Sequence, residues 1–260
     1  MTRITWDAIG ERRYESGVDR GVLYVEGLDG VAWNGLTQVA EKPSGGAPQP
    51  YYIDGQKFVH TSAAEDFAAT LGALTYPDEF DACDGYAEYN IGMYLTGQPR
   101  KQFGLSYRSM VATDANSGEG YKVHIVYGAL VSPAERDHQT ETNAVTPMPF
   151  GWDIQTVPQA AAGFKPTAHV VLDSRLMKGL ALAAIEDILY GTDSNAPRLP
   201  AVAEVSSTID SFADLKVTDY GDGSATIDGI GVTVIDANTY HIDWPSVVAL
   251  DANTYQISSL

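Results

Sequence analysis

Two apolar runs around a polar turn constrain the fold of this chain more than any other feature. The runs and the turn are residues 103–112 (Phe-Gly-Leu-Ser-Tyr-Arg-Ser-Met-Val-Ala), residues 120–133 (Gly-Tyr-Lys-Val-His-Ile-Val-Tyr-Gly-Ala-Leu-Val-Ser-Pro) and, between them, Asp114-Ala-Asn-Ser-Gly-Glu-Gly. In the second run the odd-numbered residues from Val123 to Ala129 fall on one face and the even-numbered residues from Lys122 to Gly128 on the other, which is the two-residue period of a strand. The sequence therefore predicts a long β-hairpin with most of its apolar side chains on one face.

Strand patterns recur elsewhere in the first half of the chain, at residues 21–25, 31–41 and 51–60. The segment 66–77 is ambiguous because its alanines favour a helix. We interpret it as a strand, since Phe67, Ala69, Leu71 and Ala73 alternate and Gly72 lies inside the run. Between two of the predicted strands, residues 43–50 (Pro-Ser-Gly-Gly-Ala-Pro-Gln-Pro) cannot join a sheet, so we expect an exposed, protruding hairpin tip there.

One helix is predicted, over about residues 174–190. Leu176, Leu180, Ala184 and Ile188 follow helical spacing, Asp173 or Ser174 can cap the start, and Gly191 can end it. A single helix among many strands predicts a mainly β fold. We expect two packed β-sheets, a β-sandwich, with one flanking α-helix.

The last part of the chain is predicted to be a separate small unit. Residues 195–201 read as a proline-flanked linker. From residue 201 onward the chain has nine carboxylates and one basic residue, Lys216. The phrases Asp236-Ala-Asn-Thr-Tyr-His-Ile and Asp251-Ala-Asn-Thr-Tyr-Gln-Ile suggest equivalent hairpin edges in one small sheet. We therefore predict a β-sandwich domain over residues 1–200 and an acidic C-terminal β module over residues 201–260, on the outside of an assembly.

The charge and the sequence of the ends exclude some function classes. A net charge of −18 over 260 residues works against non-specific binding to nucleic acid or to an anionic membrane. The N-terminus has no apolar signal core, and no uncharged stretch is long enough to span a bilayer, so synthesis in a cytoplasm is expected. The single Cys83 cannot form an internal disulfide and is expected to be inert.

The residue patterns do not indicate catalysis. The five histidines are scattered without zinc-ligand spacing, and His124 and His169 are expected to be hydrogen-bonded core or interface residues. Residues 137–141 read as a polar loop, and a weak calcium site between Asp219 and Asp228 is a lesser alternative to two Asp-Gly turns. A nucleophile elbow, a phosphate-binding loop and a dinucleotide fingerprint are missing. We expect no enzyme activity, no catalytic or metal-binding residues and no cofactor.

One basic cluster interleaved with aromatic residues leaves two interpretations open. Arg100, Lys101 and Arg108 flank Phe103 and Tyr107, a pattern that suits stacking on nucleic acid. Alternatively, these three cations pair with acidic groups of the same or a neighbouring subunit, because an acidic protein that self-assembles needs positive groups at its contacts.

Several phrases in one order resemble the major tail proteins of long-tailed, siphovirus-type actinobacteriophages. They cover roughly the first two hundred residues and are residues 6–24, Tyr76-Pro-Asp-Glu-Phe, Phe103-Gly-Leu-Ser-Tyr-Arg, Gly120-Tyr-Lys-Val-His, Gly163-Phe-Lys-Pro-Thr-Ala-His, Glu186-Asp-Ile-Leu-Tyr-Gly and Ala196-Pro-Arg-Leu-Pro. The resemblance implies a structural virion protein whose hexameric rings stack into a hollow, non-contractile tail tube. It further implies assembly in the host bacterial cytoplasm around a tape-measure protein, contacts with tail terminator and baseplate or distal tail proteins, and a lumen that conducts DNA without binding it specifically.

Within that framework we predict contact and lumen residues. Contacts between rings or subunits are assigned to the N-terminal segment, the proline-rich loop and the basic cluster, namely Trp6, Arg12, Arg13, Tyr14, Ser44, Gly45, Gly46, Arg100, Lys101 and Arg108. Glu41 and Thr70 are predicted to face the lumen. The main rival is a secreted or surface-displayed β-sandwich that binds carbohydrate through exposed aromatic platforms. A hydrolase with an unrecognised carboxylate pair is the second rival.

Overall fold

The computed structural model describes residues 6–45, 49–61, 65–138, 140 and 147–212, and the backbone of six short strands beyond residue 215. The fold is mainly β, as predicted. Its first twelve strands are β1 (Arg13–Val25), β2 (Val31–Ala32), β3 (Leu36–Glu41), β4 (Gln49–Ile53), β5 (Gln56–Thr61), β6 (Ala68–Ala73), β7 (Ala87–Asn90), β8 (Met93–Leu95), β9 (Phe103–Thr113), β10 (Gly120–Val131), β11 (Phe150–Thr156) and β12 (His169–Asp173). The helices are α1 (Asp81–Asp84), preceded by a 3-10 turn (Asp78–Phe80), α2 (Gly179–Tyr190) and α3 (Val202–Ser211).

Eight strands form one antiparallel sheet in the order β2-β1-β9-β10-β11-β6-β3, and β12 also pairs with β10. The predicted long hairpin is β9 and β10, and it lies at the centre of this sheet with His124 opposite Tyr107. On the side of β10 that faces away from β9, residues Lys122–Val126 pair with β12 and residues Ala129–Val131 pair with β11. The segment around residues 66–77 is a strand, as predicted, in β6.

The two layers expected of a sandwich are two ends of this one continuous sheet. A single cluster of buried residues joins side chains from β9 and β10 to side chains from β6 and β11. Its centre is aromatic, with ring centroids 4.7 Å apart between Trp33 and Phe80 and 5.0 Å apart between Phe80 and Trp152. The Tyr107 hydroxyl on β9 donates to Glu41 on β3 at 2.9 Å, so the sheet curls until β3, at one end, lies across the inner core from β9.

Both faces of β10 are buried, which differs from the one apolar face predicted. Val123, Ile125 and Tyr127 pack in a second, outer cluster with the helices, whereas Val126 and Ala129 belong to the inner core. The pairing with β9 shifts between Val126 and Ala129, and a bulge of this kind turns the following side chains to the opposite face. Ala129 therefore does not share the face of Val123, contrary to the alternation read from the sequence.

Two helices, not one, cover the outer face of the sheet. Helix α2 starts at Gly179, later than predicted, because residues 174–178 form a turn in which the backbone N–H groups of Leu176 and Met177 donate to the Asp173 carbonyl. Its buried face is Ala181, Leu182, Ile185 and Leu189, whereas Leu176 is exposed.

Helix α3 was not predicted. Val205 on this helix is buried in the same outer cluster as α2. The predicted linker before it is also packed, since Arg198 N–H donates to the Ile188 carbonyl and Leu199 lies over Gly104. The domain boundary near residue 200 stays a prediction.

The strands beyond residue 215 are short, as predicted, and form three two-stranded sheets where one small sheet was expected. They are β13 (Lys216–Asp219), β14 (Ala225–Asp228), β15 (Val232–Asp236), β16 (Thr239–Ile242), β17 (Val247–Ala249) and β18 (Tyr255–Ile257). The two repeated sequences end in equivalent strands, β16 and β18, each the second strand of its hairpin. Asp228 pairs with Lys216 at the opposite end of its hairpin from Asp219, so these two residues do not share a calcium-binding loop. Residues 220–224, between β13 and β14, lie outside the described residues.

Candidate assembly surfaces

The hairpin β4–β5 is inserted between β3 and β6 and presents an apolar surface to solvent. Asp54 and Gly55 both have positive φ, of 51° and 76°, as a two-residue turn of the mirror-image type requires. The large apolar side chains on this hairpin are mostly exposed, with Phe58 at 73%, and they are Tyr51, Tyr52, Ile53, Phe58 and Val59. A two-stranded hairpin is marginally stable alone, so this surface is suited to being covered by another molecule.

The position of this hairpin corrects the predicted loop. The tip is at Asp54 and Gly55, whereas the described part of the proline-rich segment lies at the base, where Ser44 and Asp66 form an isolated bridge. Ser44 and Gly45 are therefore base residues, and Gly46 lies outside the described residues. The signal that locates the tip was present in the sequence, because Asp-Gly between two apolar runs is typical of a tight hairpin turn.

A second hairpin, β7–β8, also exposes large apolar side chains to solvent. Ile91 at its turn is 97% exposed, and Tyr89, Met93 and Tyr94 are at least half exposed. This surface was not predicted from the sequence. Together the two hairpins leave ten large apolar side chains accessible, Leu95 included, which is the pattern expected of protein interfaces.

The N-terminal segment is anchored to the β9–β10 turn. Arg13 forms a salt bridge of 3.1 Å with Glu119, and Arg12 lies 3.9 Å from Asp114. Trp6 is 78% exposed and Tyr14 is about half exposed. The cations predicted to make contacts are thus held within the subunit, while both aromatic residues remain accessible.

Strand β1 also presents an open edge. Over Arg13–Arg20 it pairs with β9 on one side, and within the described strands its other side pairs with β2 at Val22 and Leu23. The register with β9 shifts twice between Ser16 and Val22. Such irregularities bend an edge strand and restrict which strands can pair with it. This edge is therefore available for a partner of matching shape.

The basic cluster does not form a continuous patch. Arg108 is bound by Asp19 through Nη2 at 2.8 Å, and its guanidinium lies 4.5 Å from the Tyr121 ring centroid. This hydrogen bond from Arg108 lowers the pKa of Asp19. Arg100 packs beside Gly85, and the backbone N–H of Lys101 donates to the Ala82 carbonyl. The pairing within the subunit fits the second interpretation for Arg108.

The two predicted lumen residues lie at neighbouring positions on paired strands. Thr70 on β6 donates to Asp153, which Lys42 also approaches at 3.4 Å. Glu41 on β3 has a side chain that is 40% exposed, and it accepts a hydrogen bond from Tyr107. Their orientation toward a lumen stays a prediction.

His124 and His169, each expected to be a hydrogen-bonded core or interface residue, form a hydrogen bond with each other. His124 Nδ1 lies 3.1 Å from His169 Nε2, beside Tyr107 of the inner core. Burial lowers the pKa of His124 to about 4 and also lowers that of His169. Both shifts in pKa favour the neutral form of the imidazole.

Comparisons with known proteins give little further information. No model of a protein family matches the sequence, and no curated protein matches it. Among solved structures, a chain from the cryo-electron microscopy structure of the anti-feeding prophage (AFP) baseplate, six-fold symmetrised, is similar at 6% identity with a TM-score of 0.33. The alignment covers 66% of this chain and 100% of that chain. Within the described part of the molecule, no helix has both the length and the apolarity needed to cross a bilayer.

Proposed function

We propose that this protein is a structural subunit of a bacteriophage tail, and that it self-assembles into stacked hexameric rings forming the tube of a long-tailed phage. The observation that carries the proposal is the β4–β5 hairpin with its exposed tyrosines and Phe58. An exposed apolar surface of this kind is costly to leave in water, and a second subunit is the partner always present during assembly.

Ring closure would use the open edges of the main sheet. Strands β2 and β3 end the sheet, and the Arg13–Arg20 part of β1 is unpaired on one side among the described strands. Joining edges between neighbouring subunits satisfies backbone groups that otherwise attract unrelated strands. The two apolar hairpins would then supply contacts between successive rings.

The other parts of the proposal follow from the sequence resemblance and the charge. A chain with a net charge of −18 gives a conduit that does not hold DNA. The partners would be further copies of the chain, the tape-measure protein, and the terminator and baseplate proteins that close the two ends of the tube. The protein would act in the virion, after assembly in the host cytoplasm, without enzyme activity or a cofactor.

The hairpin role is tested by sedimentation of the purified full chain over a concentration series. A double variant, Tyr52→Ser with Phe58→Ser, removes two exposed rings, and Phe164→Ser is the matched control because Phe164 is 84% exposed on a different loop. We expect wild type and the control to form large assemblies while the double variant remains monomeric. Equal assembly by all three proteins would contradict the role assigned to the hairpin.

Carbohydrate binding is the second candidate function, and one observation favours it. Trp33 and Trp152 are buried and cannot serve as a platform, but Tyr51 and Tyr52 on β4 are exposed, as a sugar-stacking surface requires. Glycan-array binding by a protein that remains monomeric would support this alternative. Assembly without glycan binding would reject it.

A further inference from the structure

Three side chains far apart in the sequence converge at one end of the inner core. Glu41 ends β3, His124 lies in the middle of β10, and His169 begins β12. In the β10–β12 ladder Val126 pairs with His169, so the two histidines lie on the same face of the sheet, two residues apart in register. The curling of the sheet then brings Glu41 to them from the opposite layer.

The donor atoms of these residues lie at distances suited to one metal ion. His124 Nδ1 is 3.1 Å from His169 Nε2 and 3.6 Å from Glu41 Oε1, and all three donor atoms lie within 4.8 Å of one another. Two ligands of a tetrahedral zinc ion are about 3.3 Å apart, because zinc–nitrogen and zinc–oxygen bonds are about 2.1 Å long. Small side-chain movements would therefore place an ion among them.

The surrounding groups can hold these ligands in place. Ser109 Oγ lies 2.9 Å from His124 Nε2 and can accept its hydrogen, which leaves Nδ1 free to bind a metal. The Tyr107 ring stacks on His124 with centroids 4.5 Å apart, and its hydroxyl donates to Glu41 Oε1. The Phe67 ring packs 4.4 Å from His169. Partners that orient ligands in this way commonly change metal affinity ten- to a hundred-fold.

We propose that Glu41, His124 and His169 bind a single divalent transition-metal ion, with zinc as the first candidate. Two imidazoles and one carboxylate are ligands that zinc prefers, and a fourth position can be filled by water on the side where Glu41 is exposed. The ion would join β3 to β10 and β12, so its role is structural, holding together the two layers of the curled sheet.

The site was not apparent in the sequence, because no two histidines have zinc-ligand spacing. A metal ion bound there would differ from the expectation that the chain binds no metal. It is independent of the proposed tube function, because all three ligands belong to one chain. Without a metal ion, the two imidazoles form a hydrogen bond, so one hydrogen lies between His124 Nδ1 and His169 Nε2. With zinc bound, the ion would occupy the position of that hydrogen between the two nitrogens. His169 would then be the tautomer that carries its hydrogen on Nδ1.

The test is titration of the chelator-treated full chain with zinc chloride by calorimetry and with cobalt chloride by visible absorption. Glu41→Gln and His169→Gln each remove one ligand. Glu135→Gln and His138→Gln are matched controls, because both residues are exposed and neither belongs to the group of donor atoms. Glu41 is partly exposed, and glutamine can still accept the Tyr107 hydrogen bond, so Glu41→Gln decides the question even if the His169 variant does not fold.

We expect one equivalent of zinc to bind and to raise the melting temperature, and one equivalent of cobalt to give the absorption bands of a four-coordinate site. Glu41→Gln should weaken binding by more than about tenfold, since a ligand matters at least as much as its supporting partners. Both controls should bind as wild type does. Absence of stoichiometric binding, or unchanged binding by Glu41→Gln, would overturn the proposal, whatever the outcome of the assembly experiments.

Discussion

Trp152 donates its indole Nε1 hydrogen to Asp84 Oδ2 over 3.1 Å inside the core. The same carboxylate forms a salt bridge with Arg136, whose guanidinium lies 5.1 Å from the Tyr86 ring centroid and 5.5 Å from that of Tyr76. Asp84 is buried, so this one carboxylate joins α1, β11 and the segment after β10.

Asp84→Ala is expected to destabilise the fold by about 3 kcal/mol, because it leaves the Arg136 charge and the Trp152 donor without their partner. The measurement is urea unfolding of dilute, monomeric protein. Asp78→Asn on the preceding turn is the control, since Asp78 is exposed. A loss below about 1 kcal/mol for Asp84→Ala would show that this network does not stabilise the core.

Gly128→Ala is expected to cost more than about 2 kcal/mol, for two reasons that add. Gly128 has φ +58°, and a Cβ there would lie 2.7 Å from the Val157 carbonyl oxygen at the β10 bulge. Gly163→Ala separates the causes, because Gly163 has φ +77° but no atom within 4 Å of its added Cβ. That control should lose only about 1 kcal/mol. Equal losses would mean that the contact at Val157 has no energetic effect.

Cys83 is expected to resist thiol reagents in the folded protein. Its side chain is fully buried, and this burial raises the pKa of the thiol to about 12, with Asp84 adding to the shift and Lys101 opposing it. The thiolate, which is the reactive form, is therefore scarce at neutral pH. Reaction with a chromogenic disulfide should occur in urea but not in native buffer, and rapid stoichiometric labelling of native protein would contradict the buried position.

Asp173 is expected to titrate well below its usual range. Hydrogen bonds from the Arg175 side chain lower the pKa of the Asp173 carboxyl to about 2. Because the folded-state pKa is depressed, the stability gained from this pair is present above pH 3.8 and is lost as the pH falls toward about 2. Carboxyl-carbon NMR titration follows the group directly, and Arg175→Gln should return it toward 3.8. A native Asp173 that titrates near 3.8 would contradict the pairing.

The parts of the fold that could be predicted are those that short-range patterns determine. The β9–β10 hairpin is two apolar runs around a turn and β6 alternates along its length, so the existence of these strands was predicted correctly, whereas the bulge in β10 was not. Helix α3 carries Val202, Val205 and Ile209 at helical spacing, but the prolines before it led to the interpretation as a linker. The start of α2 differs because Asp173 accepts backbone N–H groups of the turn at residues 174–178, and the helix begins only after that turn, at Gly179.

The candidate sites depended more on the tertiary structure. The exposed hairpin β4–β5 has a local signal for its turn at Asp54 and Gly55. The tip was nevertheless predicted at residues 43–50, because prolines are concentrated there. The Glu41–His124–His169 cluster has no local signal, because its members are brought together by the curling of the sheet. Long-range convergence of this kind cannot be read from residue spacing.

Self-assembly into a hollow tube can be observed by negative-stain electron microscopy of the purified full chain across a concentration series. We predict rings at low concentration and hollow tubes of uniform width at high concentration, with the β4–β5 hairpins buried between rings. Particles that remain monomeric throughout the series, with the hairpins still accessible to protease, would contradict it.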